Sequence, residues 1–182
     1  AQQGPPTGLM VGLNRRFAPM VQELCDAFPE GRPKQMVYRV NSGAIGTDSW
    51  LHRDEEGGGM LVGEMVHFVD LMQHVCGERP VQVYAQSLSL GRHDHADTDN
   101  ASFTVTFEPR STGTLCHNTL GDDGPARERL WLYGAGPVDM LDALHRQALA
   151  ANGSTHTSPA HNDATGQPNQ VSPTIRALPH VR

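Results

Sequence analysis

Glu64, His67, Asp70 and His74 are the residues whose types and spacing could do chemistry. They fall within Met60–Cys76, where Leu61, Met65, Phe68, Met72 and Val75 recur at i, i+4, i+7, i+11 and i+14. That spacing predicts one amphipathic helix. At 3.6 residues per turn the four polar residues lie opposite the apolar stripe, with Glu64, His67 and His74 along one edge. A carboxylate one turn from an imidazole can orient the ring and raise its pKa, which suits a general acid/base near neutral pH. The same pattern describes a helix whose polar face simply meets water, and spacing alone favours that plainer reading. A metal reading of Glu64-x-x-His67 needs a second such pair and further glutamates on other helices, and the sequence holds none.

Gly57-Gly58-Gly59 precede this helix. Glycines permit close backbone approach, and a helix start presents free N–H groups, so a ligand could sit over Gly58 and Gly59. Asp54, Glu55 and Glu56 just upstream disfavour a phosphate and suit a neutral polyol or sugar. A plain turn explains the glycines equally well. His52, beside Trp50, is a candidate cleft residue or an ordinary surface histidine. Asn14-Arg15-Arg16 could clamp an anion or pair with the acidic loop. Arg92–Asp99 gathers His93, His95 and several aspartates, a set more typical of a solvated turn than of a metal site. Gly134-Ala-Gly136-Pro-Val-Asp139 imitates a dinucleotide fingerprint, but Asp139 stands where the third glycine is needed and Pro137 removes an N–H. Cys25, Cys76 and Cys116 fall on apolar faces and read as core.

The elements that must position these residues can be read from the period of the pattern. Residues 1–7 are a linker or a cut edge. Leu9–Leu13 is an apolar run fit for one buried strand. Ala18–Phe28 has helical spacing at Met20, Val21, Leu24 and Phe28 and is stopped by Pro29 and Pro33. Gln35–Val40 predicts a strand, and Gly77 a helix stop. Beyond it the period falls to two over Val81–Gln86, Ala101–Phe107, Gly113–His117 and Arg129–Tyr133. Short turns between such strands predict an antiparallel sheet. Asp139–Ala151 reads as a last helix, and residues 151–182, rich in Ser, Thr, Pro, Asn and Gln, as a disordered tail. The expectation is α+β: an open, mainly antiparallel sheet with helices on one face, spanning residues 8–150.

Composition narrows the function. The 182 residues are too few for a dehydrogenase with both a cofactor and a substrate domain. A net charge of -6 excludes the basic footprint of a nucleic-acid binder. Lys34 is the only lysine. No apolar run approaches the ~18 residues of a membrane span. Three widely spaced cysteines without a CxxC pattern point to a reducing compartment, hence the cytoplasm. The start, Ala1-Gln-Gln-Gly-Pro-Pro, lacks Met and a signal pattern and looks like the interior of a longer chain.

Three segments resemble one known family. Val11-Gly-Leu-Asn-Arg-Arg-Phe-Ala-Pro19 resembles the junction strand of the glucose–fructose oxidoreductase/inositol dehydrogenase (Gfo/Idh/MocA) family, where the chain enters the substrate domain. Trp50–Gly59 followed by Gly63-Glu-Met-Val-His-Phe-Val-Asp70 resembles the family's glycine-rich turn and catalytic helix. Arg129-Leu-Trp-Leu-Tyr-Gly134 resembles a later strand. The resemblance covers roughly residues 8–145. It implies the substrate half of an NAD- or NADP-dependent oxidoreductase acting on a sugar, sugar nucleotide or polyol.

His67 matches the helix histidine that relays the substrate proton. Glu64 stands next to Gly63, where many members carry an Asp. Arg15, His52, Gly58 and Gly59 would surround the substrate. The family's glycine fingerprint and lysine-bearing segment belong to an N-terminal half not present in these residues, so the main cofactor site is not in this chain. The resemblance also implies a homo-oligomer formed through the open sheet face. The rival readings are a non-catalytic binding or dimerisation module and, further off, a metal protein using His93 and His95.

Overall fold

The computed structural model describes residues 11–29, 31–46, 48–88, 91, 95–121, 127–142, 146–151 and 153–158. Everything below concerns those residues. A 3-10 turn, Arg15–Phe17, leads into α1, Pro19–Ala27. Pro19 occupies the first turn, where its missing N–H costs nothing. Next come β1 (Gln35–Asn41), a second 3-10 turn (Trp50–His52), α2 (Met60–Gly63) and α3 (Met65–Cys76). Then follow β2 (Arg79–Ser87), the short α4 (His95–Thr98), β3 (Ala101–Glu108), β4 (Ser111–Asn118) and β5 (Glu128–Tyr133). The last strands are β6 (Val138–Asp142), β7 (Arg146–Ala151) and β8 (Ser154–Ser158).

The eight strands form one sheet in the order β2-β3-β4-β1-β5-β6-β7-β8. All pairings are antiparallel except β1 with β4. The fold is α+β, and its core joins α1 and α3 to one sheet face. Met20, Val21 and Leu24 of α1 and Phe68, Leu71, Met72 and Val75 of α3 pack on Met36, Val40, Val105, Phe107, Leu115, Leu130, Leu132 and Leu141. These are the inward positions of strict alternation: β4 buries Ser111, Gly113, Leu115 and His117 and exposes the residues between them. Gly113 is where α3 comes closest, since a Cβ there would lie 2.1 Å from the Met72 terminal methyl. No helix among the described residues is long and apolar enough to cross a membrane.

Five features differ from the sequence expectation. The helix over Met60–Cys76 is interrupted at Glu64, whose φ of -119° lies well off the ideal helical value. The preceding Gly63 has low helix propensity. Asp139–Ala151 is not helical but supplies β6 and β7. Its Ala, Leu and Met favour a helix locally, yet the hairpin turn at Gly134–Pro137 sets β6 against β5 and burial alternates along it. The sheet continues to Ser158, past the boundary read from composition, and residues 159–182 lie outside the described part. Cys116 is exposed, because it shares the outer register of β4 with Thr112 and Thr114; Cys76 is buried and Cys25 half-buried. Of the strand expected at Leu9–Leu13, residues 11–13 are irregular and Leu9 and Met10 are outside the described residues.

Candidate functional site

The register places one end of the sheet under the start of α3. Val40 pairs with Glu128, Ala101 with His117 and Asn41 with Asn118. Phe68 is the hub there. Its ring meets Tyr38 edge-on at 5.3 Å between centroids and lies 6.4 Å from His117. The Arg15 guanidinium covers it at 4.4 Å.

On the Arg15 side, Arg15 Nε donates to Glu128 Oε2 at 3.1 Å, and the Tyr38 hydroxyl donates to the same oxygen. Burial and the neighbouring Glu128 carboxylate push the Tyr38 phenol well above its ordinary range. Burial works against the Arg15 charge, but Glu128 and Tyr38 outweigh it and its pKa is raised. Arg16 makes a two-pronged pair with Asp70, Nε to Oδ2 at 2.8 Å and Nη2 to Oδ1. Arg127 Nη2 donates to both Glu64 oxygens, at 2.7 and 2.6 Å. Arg15 and Arg16 therefore do not pair with the acidic loop, whose Glu56 is instead bridged by Arg53.

His67 lies among these charges. Its Nδ1 is buried without a hydrogen-bond partner. Its pKa is lowered, by burial first and by Arg15 second, against the opposing pull of Glu64, Asp70 and Glu128. This corrects the expectation that a carboxylate one turn away would raise it: Glu64 is engaged by Arg127, and a cation stands on the other side. Asp70 is not on a solvated face but buried under Arg16. His74 is lowered likewise by burial and Arg16, and its Nε2 is a second buried atom without a partner. The polar side of α3 is covered because the Arg15–Phe17 turn packs on it.

The second group surrounds the glycine turn. Gly58 and Gly59 have φ of 65° and 86°. A Cβ on Gly59 would lie 2.8 Å from His95 Nδ1 and 2.9 Å from Asp99 Oδ1. Asp99 is 1% exposed and accepts from the Leu61 backbone N–H at 3.2 Å, tying the start of α2 to β3. His52 Nε2 lies 3.8 Å from the other Asp99 oxygen, and its ring stacks on His95 at 6.2 Å. His95 Nε2 meets Asp54 Oδ1 at 2.7 Å. His117 bridges this group to the core, its Nδ1 at 2.6 Å from the Asp99 carbonyl and its Nε2 at 3.0 Å from Ser42 Oγ. Among the described residues no three His, Cys, Asp or Glu side chains could hold a metal ion, and His93 lies outside them.

Of the residues singled out in the sequence, the structure brings together Arg15, Glu64 and His67. It sets His52, Gly58 and Gly59 in the neighbouring group, joined to the first through Phe68 and His117. Sequence reading missed Tyr38, Glu128, Arg127 and His117, and it took Asp99 as part of a solvated turn, whereas the fold buries it. The signal for three of the four missed residues was present. Tyr38, Glu128 and His117 are polar residues in the inward register of strands whose other inward positions, Ser111 apart, are apolar.

One end of an open sheet with helices on one face thus holds an imidazole set among ion pairs. The GFO/IDH/MocA C-terminal domain profile matches residues 21–136. The chain belongs to that family. No curated protein matches it.

Solved structures share the fold. One is a UDP-N-acetylglucosamine 3-dehydrogenase from Acidithiobacillus ferrooxidans, at 19% identity and TM-score 0.72, covering 94% of this chain and 54% of that one. Another is an aldose-aldose oxidoreductase from Caulobacter crescentus complexed with glycerol, at 19% identity and TM-score 0.72, covering 92% and 53%. A third is an inositol dehydrogenase homologue complexed with NAD+ from Azotobacter vinelandii, at 12% identity and TM-score 0.66, covering 84% and 45%. The chain thus spans about half the length of the structures it resembles.

Proposed function

We propose that the chain is the substrate-binding half of an NAD- or NADP-dependent oxidoreductase acting on a hydroxyl of a sugar, sugar nucleotide or polyol. The observation that carries this reading is His67. It has a buried, unpartnered Nδ1 and a lowered pKa at the start of α3, between the Arg15–Glu128 and Arg127–Glu64 pairs. A neutral imidazole at neutral pH is ready to accept a proton. His67 takes the proton of the substrate hydroxyl as the carbon gives up hydride. The nicotinamide, bound by a cofactor domain outside these residues, supplies the hydride acceptor.

Glu64 and Arg15 bracket His67, and Arg15 supplies a hydrogen-bond donor toward a substrate oxygen. His52 and the Gly58-Gly59 turn contact the rest of the substrate. The test is turnover of NAD(H) by this domain joined to its cofactor domain, with and without His67→Gln. A loss of 10²-fold or more in kcat is expected of a general base, on the order of its usual contribution. Equal rates would remove His67 from the reaction.

The open sheet face favours self-association. Val37, Trp131 and Tyr133 are side by side there and exposed, with Trp131 and Tyr133 stacked at 6.4 Å. Such a patch suits a second copy of the same face. The reading of a pure dimerisation module shares this patch and differs in predicting no role for His67.

A further inference from the structure

Glu128 is a carboxylate in the inward register of β5, two positions from Leu130 and four from Leu132, both core residues. Burying an isolated carboxylate costs several kcal/mol, so such a group persists only when paired. Here the partners come from far along the chain: Arg15 from the 3-10 turn and Tyr38 from β1, both bonded to Oε2. The ion pair is nearly closed to water, with side-chain exposures of 13% and 11%. Arg15 is constrained further, since one face of its guanidinium lies on the Phe68 ring. With Nε on the carboxylate and a face on the ring, rotation is blocked. The Nη donors, which the Glu128 bond does not take, are held at a set place next to the residue that follows His67.

We propose that Glu128 is a positioning residue of the site: with Tyr38 it fixes the Arg15 guanidinium on Phe68, so that a cation stands at a defined place beside His67. The inference rests on the reading of His67 as the base, but it concerns a coupling inside this chain that exists without turnover. The charged groups acting on His67 are Arg15 from the turn, Glu64 and Asp70 on the helical segment itself, and Glu128 from β5. Glu128 and Arg15 oppose each other at the imidazole. Moving or neutralising either shifts the balance in a known direction.

The experiment is an NMR titration of the histidine ring nitrogens in the 182-residue chain, the His67 signal being identified by its loss in His67→Gln. In Glu128→Gln the amide oxygen still accepts from Arg15 Nε and keeps the cation in place, while the negative charge that opposes it at His67 is lost, and the His67 midpoint drops further, by about 0.5 unit or more. In Arg15→Gln it rises. Tyr38→Phe changes no charge at neutral pH but removes the hydroxyl that pins Glu128 Oε2, so the Glu128–Arg15 pair loosens and the midpoint moves back toward the ordinary 6.5. This last shift is one that a merely structural hydroxyl would not produce. Amide dispersion confirms folding, and if one variant fails to fold the other two carry the test.

A His67 midpoint unchanged in the folded variants, or one that falls in Arg15→Gln, overturns the inference. The role of His67 in turnover is judged separately, by the activity of His67→Gln in the rejoined enzyme.

Discussion

Replacing Gly59 with alanine should destabilise the fold by about 2–3 kcal/mol, while the same change at Gly58 costs about 1 kcal/mol or less. The two glycines are neighbours in one turn, so the contrast isolates what each position demands. Gly59 has φ 86° and ψ 170°, a region open essentially to glycine alone, where a side chain costs ~1–3 kcal/mol. A Cβ there also lies under 3 Å from His95 Nδ1 and Asp99 Oδ1. Asp99 must then shift, weakening its bond to the Leu61 N–H by ~1 kcal/mol. Stiffening the unfolded chain returns ~0.4–1 kcal/mol.

Gly58 has φ 65°, and a Cβ meets only Val62 at 3.6 Å or more, an ordinary contact. Its cost is the left-handed backbone alone, ~1–2 kcal/mol before the same return. Urea unfolding of both variants measures the difference as a shift in midpoint at constant slope. If Gly59→Ala is no less stable than Gly58→Ala, the packing of the turn on Asp99 and His95 does not govern it.

Asp70→Asn should cost about 1–3 kcal/mol in the same assay, because the buried carboxylate is the partner of Arg16; the lower end applies if Arg16, one-third exposed, reaches water. His67 and His74 have folded pKa values below 6.5, so between those values and 6.5 the unfolded chain binds more protons. Stability should therefore fall as the pH is lowered below 6.5 and be flat above it with respect to these groups, and a His67→Gln/His74→Gln chain should lose part of that acid sensitivity in unfolding midpoints measured across the window. Trp131→Lys places a charge in the middle of the exposed apolar patch on the sheet. Light scattering should show a smaller assembly than the parent chain, with unchanged circular dichroism; an unchanged mass would move the self-association surface elsewhere.

Much of this architecture was legible in the sequence because periodicity reports burial directly. Met20, Val21, Leu24 and Phe28 at helical spacing, and Phe103, Val105 and Phe107 at period two, needed only local geometry to be placed. Asp139–Ala151 defeated the same method, since its helix-favouring composition was overridden by pairing with β5, a partner that local propensity does not contain. His67 was also visible as a candidate, from its place on a polar edge after a glycine turn.

Its electrostatic state was not. A helix wheel sees only neighbours three and four residues away, and on that view Glu64 should have raised the imidazole pKa. Folding brought Arg127 onto Glu64 and Arg15 onto Phe68, and supplied Glu128 and Tyr38 from strands far along the chain. The sequence by itself determined the elements, the inward face of each strand and the presence of an imidazole at the helix start. Only the tertiary structure decided which charges surround that imidazole, because such fields depend on distance through space, and register and crossing set those distances after the elements have formed.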